Sequence, residues 1–150
     1  MTRVTGRCDS GFTLIELVII IVVLGIVSIV AVAKYSDFLN ESKIQASKSE
    51  LAELKRAIVG NPLAAAGGRY TDVGFEGDVG YPPSSLVDLA RKPDSISAYN
   101  AIARLGWHGP YIDSSGAAYL KDAWGVNYVY NAAARTITST GSGTNIVVTF

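Results

Sequence analysis

The chain has 150 residues, a length typical of a single domain. Its 13 basic and 13 acidic side chains balance, and no basic cluster exceeds Lys55-Arg56, so the composition implies no nucleic-acid partner. One cysteine, Cys8, excludes a disulfide within the chain, and one histidine, His108, excludes a multi-histidine metal site.

An apolar run covers residues 12–33 and contains one charge, Glu16. About 20 apolar residues in a helix cross the hydrocarbon core of a bilayer, so this run is long enough for a single membrane pass. Arg3 and Arg7 precede the run, and the positive-inside rule therefore places its N-terminal end in the cytoplasm. Residues 34–150 are then expected on the opposite, non-cytoplasmic side of the membrane.

Glu16 is the informative residue of this run, because a charge in a membrane helix costs about 2.5–3.5 kcal/mol on insertion scales. No lysine or arginine lies within one helical turn of it. A cut between Gly11 and Phe12 would create a charged amine one turn away, or opposite Glu16 on a neighbouring helix. The position of Glu16 therefore predicts a charge pair formed after such a cut.

Residues 11–16, with the sequence GFTLIE after a short basic leader, resemble the processing site of type IV prepilins and type II secretion pseudopilins. The resemblance implies cleavage after Gly11 by a prepilin peptidase and N-methylation of Phe12. It also implies that Glu16 pairs with the N-terminus of a neighbouring subunit during assembly. The implied partners are further copies of the chain, other pilins or pseudopilins and an assembly platform in the inner membrane.

The same residues also fit an ordinary secretory signal peptide. Arg3 and Arg7 are then its basic region, residues 17–30 its apolar core, and residues 31–33 (Ala-Val-Ala) its cleavage site. This alternative releases a soluble domain that begins at Lys34. The charge of Glu16 at the edge of the apolar core argues against it.

The helix is predicted to continue through residues 34–59, which contain neither proline nor glycine, and to end at Gly60 and Pro62. Apolar side chains at helical spacing form one stripe, which is expected to cover a globular domain. The stripe consists of Ile44, Leu51, Leu54 and Ile58. On another face, Glu53 and Arg56 are expected to pair across one turn.

Residues 60–80 contain six glycines and are predicted to form a loop. Its carboxylates, Asp72, Glu76 and Asp78, are possible calcium ligands, but their spacing is not that of an EF-hand. A solvated loop is therefore the preferred interpretation.

Two short helices are predicted after this loop. Ser85 and Asp88 have the spacing of a capping box for a helix that continues to Arg91. Residues 94–106 are expected to form the second helix, because four apolar side chains recur there at helical spacing. These are Ile96, Tyr99, Ile102 and Leu105.

Short segments rich in β-branched and aromatic residues follow, separated by turn residues, and predict an antiparallel sheet. The predicted strands are residues 107–112, 119–120, 127–130, 135–140 and 146–150. The expected fold is α+β, with a long N-terminal helix whose amphipathic half packs on a small C-terminal antiparallel sheet. The expected organisation is a leader at residues 1–11, a transmembrane and polymerisation helix at 12–33 and a globular domain at 34–150.

The C-terminal half carries a second resemblance. Residues 109–112 (GPYI) and 122–128 (DAWGVNY) are similar to the major, G-type pseudopilin of type II secretion, although Ala123 stands where that family usually has proline. Trp124 and Tyr128 are also expected as ordinary core aromatics.

The pseudopilin resemblance raises the question of calcium. Those proteins bind calcium through an acidic C-terminal loop, whereas residues 138–145 of this chain contain no carboxylate. The calcium site is therefore not carried over, and no cofactor is expected. Asp113 and Asp122 are weak candidates if a metal binds.

No catalytic constellation is recognisable, so no enzyme activity is expected. His108, the one candidate base, has no serine or cysteine beside it in an activating motif and is interpreted as a turn residue. The sequence predicts a filament subunit, most specifically a pseudopilin that drives protein export. The lack of a disulfide favours this over a type IV pilus subunit for adhesion, motility or DNA uptake, which stays the alternative.

Overall fold

The computed structural model describes residues 11–66 and 69–150 of the chain. The predicted leader, apart from Gly11, lies outside these residues, as do Gly67 and Gly68. The chain divides into two compact units, residues 1–39 and 40–150.

Helix α1, Leu14–Val59, contributes to both units. Thr13 caps its first turn, because the threonine hydroxyl accepts a hydrogen bond from the Glu16 backbone N–H at 3.3 Å. At the other end, the Gly60 N–H donates to the Arg56 carbonyl at 2.7 Å, and Gly60 adopts a left-handed φ of 77°. The predicted long helix and its end are confirmed, and its start lies two residues later than expected.

The residues that follow α1 are not the solvated loop that their glycines predicted. They form a short antiparallel hairpin, β1 (Ala65–Ala66) with β2 (Arg69–Tyr70), and then helix α2, Gly74–Val79. Phe75 of α2 is fully buried. The prediction was wrong because Gly60 and Gly74 serve close backbone contacts in a folded segment that supplies core residues.

The capping box of Ser85 and Asp88 is confirmed. The Asp88 carboxylate accepts a hydrogen bond from the Ser85 N–H at 3.0 Å. In return, the Ser85 side chain faces the backbone N–H of Asp88, which completes the capping box. The element that it starts is a 3-10 helix, Leu86–Leu89, shorter than the predicted helix.

The prediction of a second helix over residues 94–106 is wrong. The chain folds back on itself instead, with Asn100 in an isolated antiparallel bridge to Leu105. The Asn100 side chain accepts hydrogen bonds from the N–H groups of Ile102 and Ala103 at 2.9 and 3.1 Å. An asparagine that satisfies the backbone in this way competes with helix formation, which the apolar spacing alone does not reveal.

Two of the predicted strands are also wrong. In residues 107–112, Trp107 forms an isolated bridge with Ala98, and the Gly109–Pro110 peptide is cis. Residues 119–120 belong to a 3-10 helix, Ala118–Leu120.

The remaining predicted strands form the antiparallel sheet. Strands β3 (Val129–Asn131), β4 (Thr136–Ser139) and β5 (Ile146–Thr149) lie in the order β3-β4-β5. Their registers pair Tyr130 with Ile137 and Ile137 with Val148. β4 and β5 agree with the prediction, and β3 begins two residues later than expected.

The predicted apolar stripe of α1 forms the core of the second unit together with the sheet. Leu51, Leu54 and Ile58 are each at most 1% exposed, and Ile44 is half-buried. Their buried neighbours are Ala57, Phe75, Leu86, Leu89, Ile96, Tyr128 and Ile137. A long helix that packs on a small antiparallel sheet confirms the predicted α+β, type IV pilin-like fold.

Candidate processing and assembly site

The bond between Gly11 and Phe12 lies in exposed, non-helical chain. Gly11, Phe12 and Thr13 have no regular secondary structure, and α1 begins at Leu14. Phe12 is 75% exposed, and a Cβ added to Gly11 would meet no atom within 4 Å. A peptidase can therefore reach this bond without first unwinding α1.

Glu16 lies in the first turn of α1 with its side chain exposed. Within residues 11–66 and 69–150, its carboxylate makes no ion pair. The dipole of α1 favours a negative charge in this turn, typically by about 0.3–1 kcal/mol. The helix end thus stabilises the charge of Glu16 while its carboxylate stays available to a partner.

The first half of α1 exposes its apolar side chains on every face. From Phe12 to Ile29, the exposed fraction of the large apolar residues ranges from 38% at Val18 to 82% at Leu14. By length and composition, the helix can cross a membrane. Burying apolar surface is favourable by roughly 25 cal/mol per Å², so this segment requires lipid or other apolar helices around it.

Asp122, a weak metal candidate, is a buried structural carboxylate. One oxygen accepts hydrogen bonds from the N–H groups of Trp124 and Val126 at 3.0 and 2.9 Å. The other accepts from the Ser139 hydroxyl at 2.7 Å and the Gly141 N–H at 2.9 Å. Burial raises the pKa of Asp122, but these hydrogen bonds outweigh it and hold the pKa below its usual range. Both oxygens are therefore committed to the fold.

Asp113, the second weak metal candidate, is exposed and caps a turn. Its Oδ1 accepts hydrogen bonds from the Ser115 hydroxyl at 2.6 Å and the Ser115 N–H at 2.9 Å, and these bonds lower its pKa. In the part of the chain that the structure describes, no group of three or more histidine, cysteine, aspartate or glutamate side chains is arranged to hold a metal ion. Calcium binding gains no support here, and the absence of a cofactor stays a prediction.

The three carboxylates of residues 60–80 each have a protein partner. Asp72 binds Arg56 at 2.8 Å, Glu76 binds Arg135 at 2.7 Å, and Asp78 binds the Tyr111 hydroxyl at 2.9 Å. The predicted pair of Glu53 with Arg56 is therefore wrong, because Arg56 pairs with a side chain brought to it by the fold. His108 is exposed and stacks on Tyr99 at 4.2 Å between ring centroids, in keeping with a turn residue.

Two polar residues of α1 that the sequence reasoning missed hold the segment resembling the pseudopilin. The Ser47 hydroxyl accepts a hydrogen bond from the Ala123 N–H at 3.1 Å, and the Glu50 carboxylate accepts one from the Tyr128 hydroxyl at 2.6 Å. Burial, and then the bond to Glu50, raise the pKa of Tyr128 above its usual range. Tyr128 is a core aromatic as predicted, whereas Trp124 is half-buried. The sequence signal that could have identified Ser47 and Glu50 is their position on α1, next to the apolar stripe.

Comparison with known proteins agrees with these features. Residues 6–32 match the prokaryotic N-terminal methylation motif. The fimbrial protein of Pseudomonas aeruginosa is 29% identical over 91 residues, 57% of each chain. The type IV major fimbrial protein FimA of Dichelobacter nodosus is 29% identical over 126 residues, 84% of this chain and 74% of that protein. The type IV major alpha-pilin of Moraxella bovis is 42% identical over 52 residues, 35% of this chain and 33% of that protein. No solved structure matches significantly.

A methylation motif at the head of an apolar helix, with a small antiparallel sheet later in the chain, is typical of prepilin-type proteins. The methylation motif at residues 6–32 and relatives named as fimbrial proteins and type IV pilins support the type IV prepilin family for this chain. Its relatives are structural pilin subunits, and the family is not enzymatic. The match spans 57% of the length of the Pseudomonas aeruginosa fimbrial proteins.

Proposed function

We propose that this chain is a structural subunit of a type IV filament and that it polymerises through the first half of α1. The observation that supports this most is the apolar surface of residues 12–29, exposed on every face, with the one carboxylate of Glu16 at its head. A single copy cannot cover this surface with its own described residues. Lipid covers it before assembly, and neighbouring helices cover it afterwards.

The proposed processing of the N-terminus takes place at the exposed bond between Gly11 and Phe12. A prepilin peptidase cuts this bond and methylates the new amine of Phe12. The amine stays positively charged, and in an apolar surrounding it attracts the Glu16 carboxylate of a neighbouring copy. A charge pair formed in this way neutralises both groups and sets the register of the two helices.

The proposed location before assembly is the bacterial inner membrane. Residues 12–33 cross it once, the N-terminus faces the cytoplasm, and the domain at residues 34–150 faces the periplasm. Arg3 and Arg7 support this orientation through the positive-inside rule. An assembly platform in the same membrane then extracts the subunit into the filament.

Two kinds of filament are open to such a subunit. A type IV pilus is supported by the relatives, which are named as fimbrial proteins and type IV pilins. A type II secretion pseudopilus is supported by the resemblance of residues 109–112 and 122–128, and by the lack of any cysteine after Cys8. Deleting the gene separates them: loss of surface pili supports the first, and loss of exoprotein release with normal piliation supports the second.

The mass of the intact protein in the membrane fraction tests the proposal itself. A chain that begins at methylated Phe12, together with filaments sheared from the cells that contain it, is the expected result. A mature chain that begins at Lys34 would support the rival secreted domain and refute the filament subunit.

A further inference from the structure

An apolar tip stands out on the surface of the second unit. In the turn formed by residues 100–105, Ile102 is 97% exposed and Leu105 is 55% exposed. The turn is held closed by two hydrogen bonds to the Asn100 side-chain oxygen and by a third bond, from the Arg104 N–H to the Asn100 carbonyl at 2.6 Å. Residues 100–105 are called the knob below. The knob presents an isoleucine to solvent on an ordered backbone, which reduces the entropy lost on binding.

Arg104 gives the knob a positive charge. Its backbone has a left-handed φ of 54°, a conformation that side-chain-bearing residues rarely adopt. The guanidinium makes no ion pair with any residue in the described part of the chain. The knob therefore combines an exposed aliphatic side chain with an unpaired cation two residues away.

The same unit has a groove of complementary character beside α1. Two cavities of about 480 and 220 Å³ share Glu53, Ile112 and Asp113 as walls, and together they form what is called the α1 groove. Pro110 and Ile112 form its accessible apolar floor above the buried Ala57 and Leu54, so the groove offers apolar contacts below and carboxylates at its walls. The knob does not line either cavity.

The charges of the groove favour a cationic occupant. Arg56 lies at one end but is already bound to Asp72. In the described residues, the carboxylates of Glu53 and Asp113 have no ion-pair partner. An apolar floor flanked by two unpaired carboxylates matches an aliphatic side chain accompanied by an arginine.

We propose that the knob of one copy docks in the α1 groove of the next copy in the filament. Ile102 enters the apolar floor, and the Arg104 guanidinium lies against Glu53 and Asp113. An open polymer requires a heterologous contact, in which two different surfaces of the same chain meet, and the knob and the groove are such a pair. The inference rests on the proposed filament function and adds a contact between globular domains to the contact between helices.

Disulfide trapping tests the contact, because the chain has no cysteine except Cys8 in the leader. Two tagged copies that both carry Cys8→Ser are expressed together as full chains, one with Ala103→Cys in the knob and the other with Ala118→Cys at the groove. Mild oxidation of sheared filaments is expected to form a disulfide that joins the two differently tagged chains. Leu63→Cys in place of Ala103→Cys is the control, since Leu63 is apolar and 90% exposed but lies outside the knob.

Charge exchange provides the second measurement. Arg104→Glu should lower the yield of the linked species at least fivefold, and adding Glu53→Lys to the groove-bearing copy should restore it. Normal filaments that link Ala103→Cys no better than Leu63→Cys would overturn the knob contact and leave the filament proposal standing. Failure of the unmodified chain to form filaments would instead refute the filament proposal, and the knob contact with it.

Discussion

Gly74 lies directly against Gly60, so closely that a Cβ added to Gly74 would be 2.3 Å from the Gly60 backbone nitrogen. Both residues have left-handed backbones, with φ of 64° and 77°. The contact joins the end of α1 to the start of α2 and thereby fixes the position at which the chain returns to the core. Two of the glycines that suggested a solvated loop are therefore parts of a tight backbone crossing.

Replacing Gly74 with alanine should lower the free energy of unfolding by about 3 kcal/mol, because a left-handed alanine costs roughly 1–2 kcal/mol and overpacking adds a similar amount. Urea unfolding of the full chain in detergent, followed by circular dichroism, measures the loss. Gly80→Ala is the control, since Gly80 also has a left-handed φ, of 92°, but a Cβ there would meet no atom within 4 Å. Equal losses in the two variants would show that the close contact is unimportant.

Asp122 should matter to stability far more than Asp113 does. Asp122→Ala leaves the buried Ser139 hydroxyl and three backbone N–H groups without their acceptor, and we expect a loss of about 3 kcal/mol in the free energy of unfolding. Asp113→Ala, which removes an exposed turn cap, should change the urea midpoint little. A similar shift in both midpoints would contradict the structural role of Asp122.

The ion pair of Glu76 and Arg135 makes stability depend on pH. Two parallel hydrogen bonds of 2.8 and 2.7 Å join them, and the bond from Arg135, opposed by partial burial, lowers the pKa of Glu76. A lowered folded-state pKa gives stability that is fully present above the unfolded value of about 4.3 and is lost as the pH falls through the folded value.

A double-mutant cycle with Glu76→Gln and Arg135→Gln measures the contribution of this ion pair to the free energy of unfolding. Because both side chains are partly exposed, we expect a coupling energy of about 1 kcal/mol at pH 7. The coupling should be smaller at a pH of about 2.5 than at pH 7, because protonation of Glu76 removes its charge. A coupling of equal size at both pH values would mean that the carboxylate charge is not its source.

The elements that the sequence predicted correctly are those whose pattern is local. The stripe from Ile44 to Ile58 and the β-branched strands β4 and β5 each have a period that one segment alone reveals. Residues 94–106 also have a helical period, but Asn100 closes a turn there that leaves Ile102 in solvent. That outcome depends on side-chain hydrogen bonds, which hydrophobic spacing does not encode.

The residues of the candidate site also fall into those that a local motif identifies and those whose partners only the fold reveals. Gly11, Phe12 and Glu16 stand in one short motif, so the sequence alone locates them. Asp72, the partner of Arg56, and Ser139 and Gly141, two partners of Asp122, lie 16 or more positions away, and only the fold brings them together. The expected pair of Arg56 with Glu53 was therefore replaced by a pair with Asp72, whereas the weak metal candidacy of Asp122 stays a prediction.

Processing should depend on the small size of Gly11. Gly11→Trp should leave an uncut precursor in the membrane fraction, because a bulky side chain at the cleavage position is expected to block the peptidase. Gly25→Ala is the matched control: it changes a glycine within α1, where a Cβ meets no atom within 4 Å, and should be cut normally. Mass spectrometry of the intact chain distinguishes the two states. Normal cutting of Gly11→Trp would remove the basis for the cleavage site.

Assembly should depend on the charge of Glu16 and not on its effect on α1. Both Glu16→Ala and Glu16→Gln should be cut and methylated normally, since the cleaved bond lies outside the helix and the carboxylate makes no ion pair in the described residues. Both should nevertheless lower the yield of sheared filaments at least tenfold, because the Phe12 amine of the next subunit then stays unpaired in an apolar surrounding. Ser28→Ala removes another polar side chain from the same apolar run, one whose hydroxyl donates to the Leu24 carbonyl at 2.7 Å, and should assemble normally. Since Glu16→Gln keeps the shape and the hydrogen-bonding capacity of the side chain, a normal filament yield from that variant would mean that charge pairing does not drive assembly.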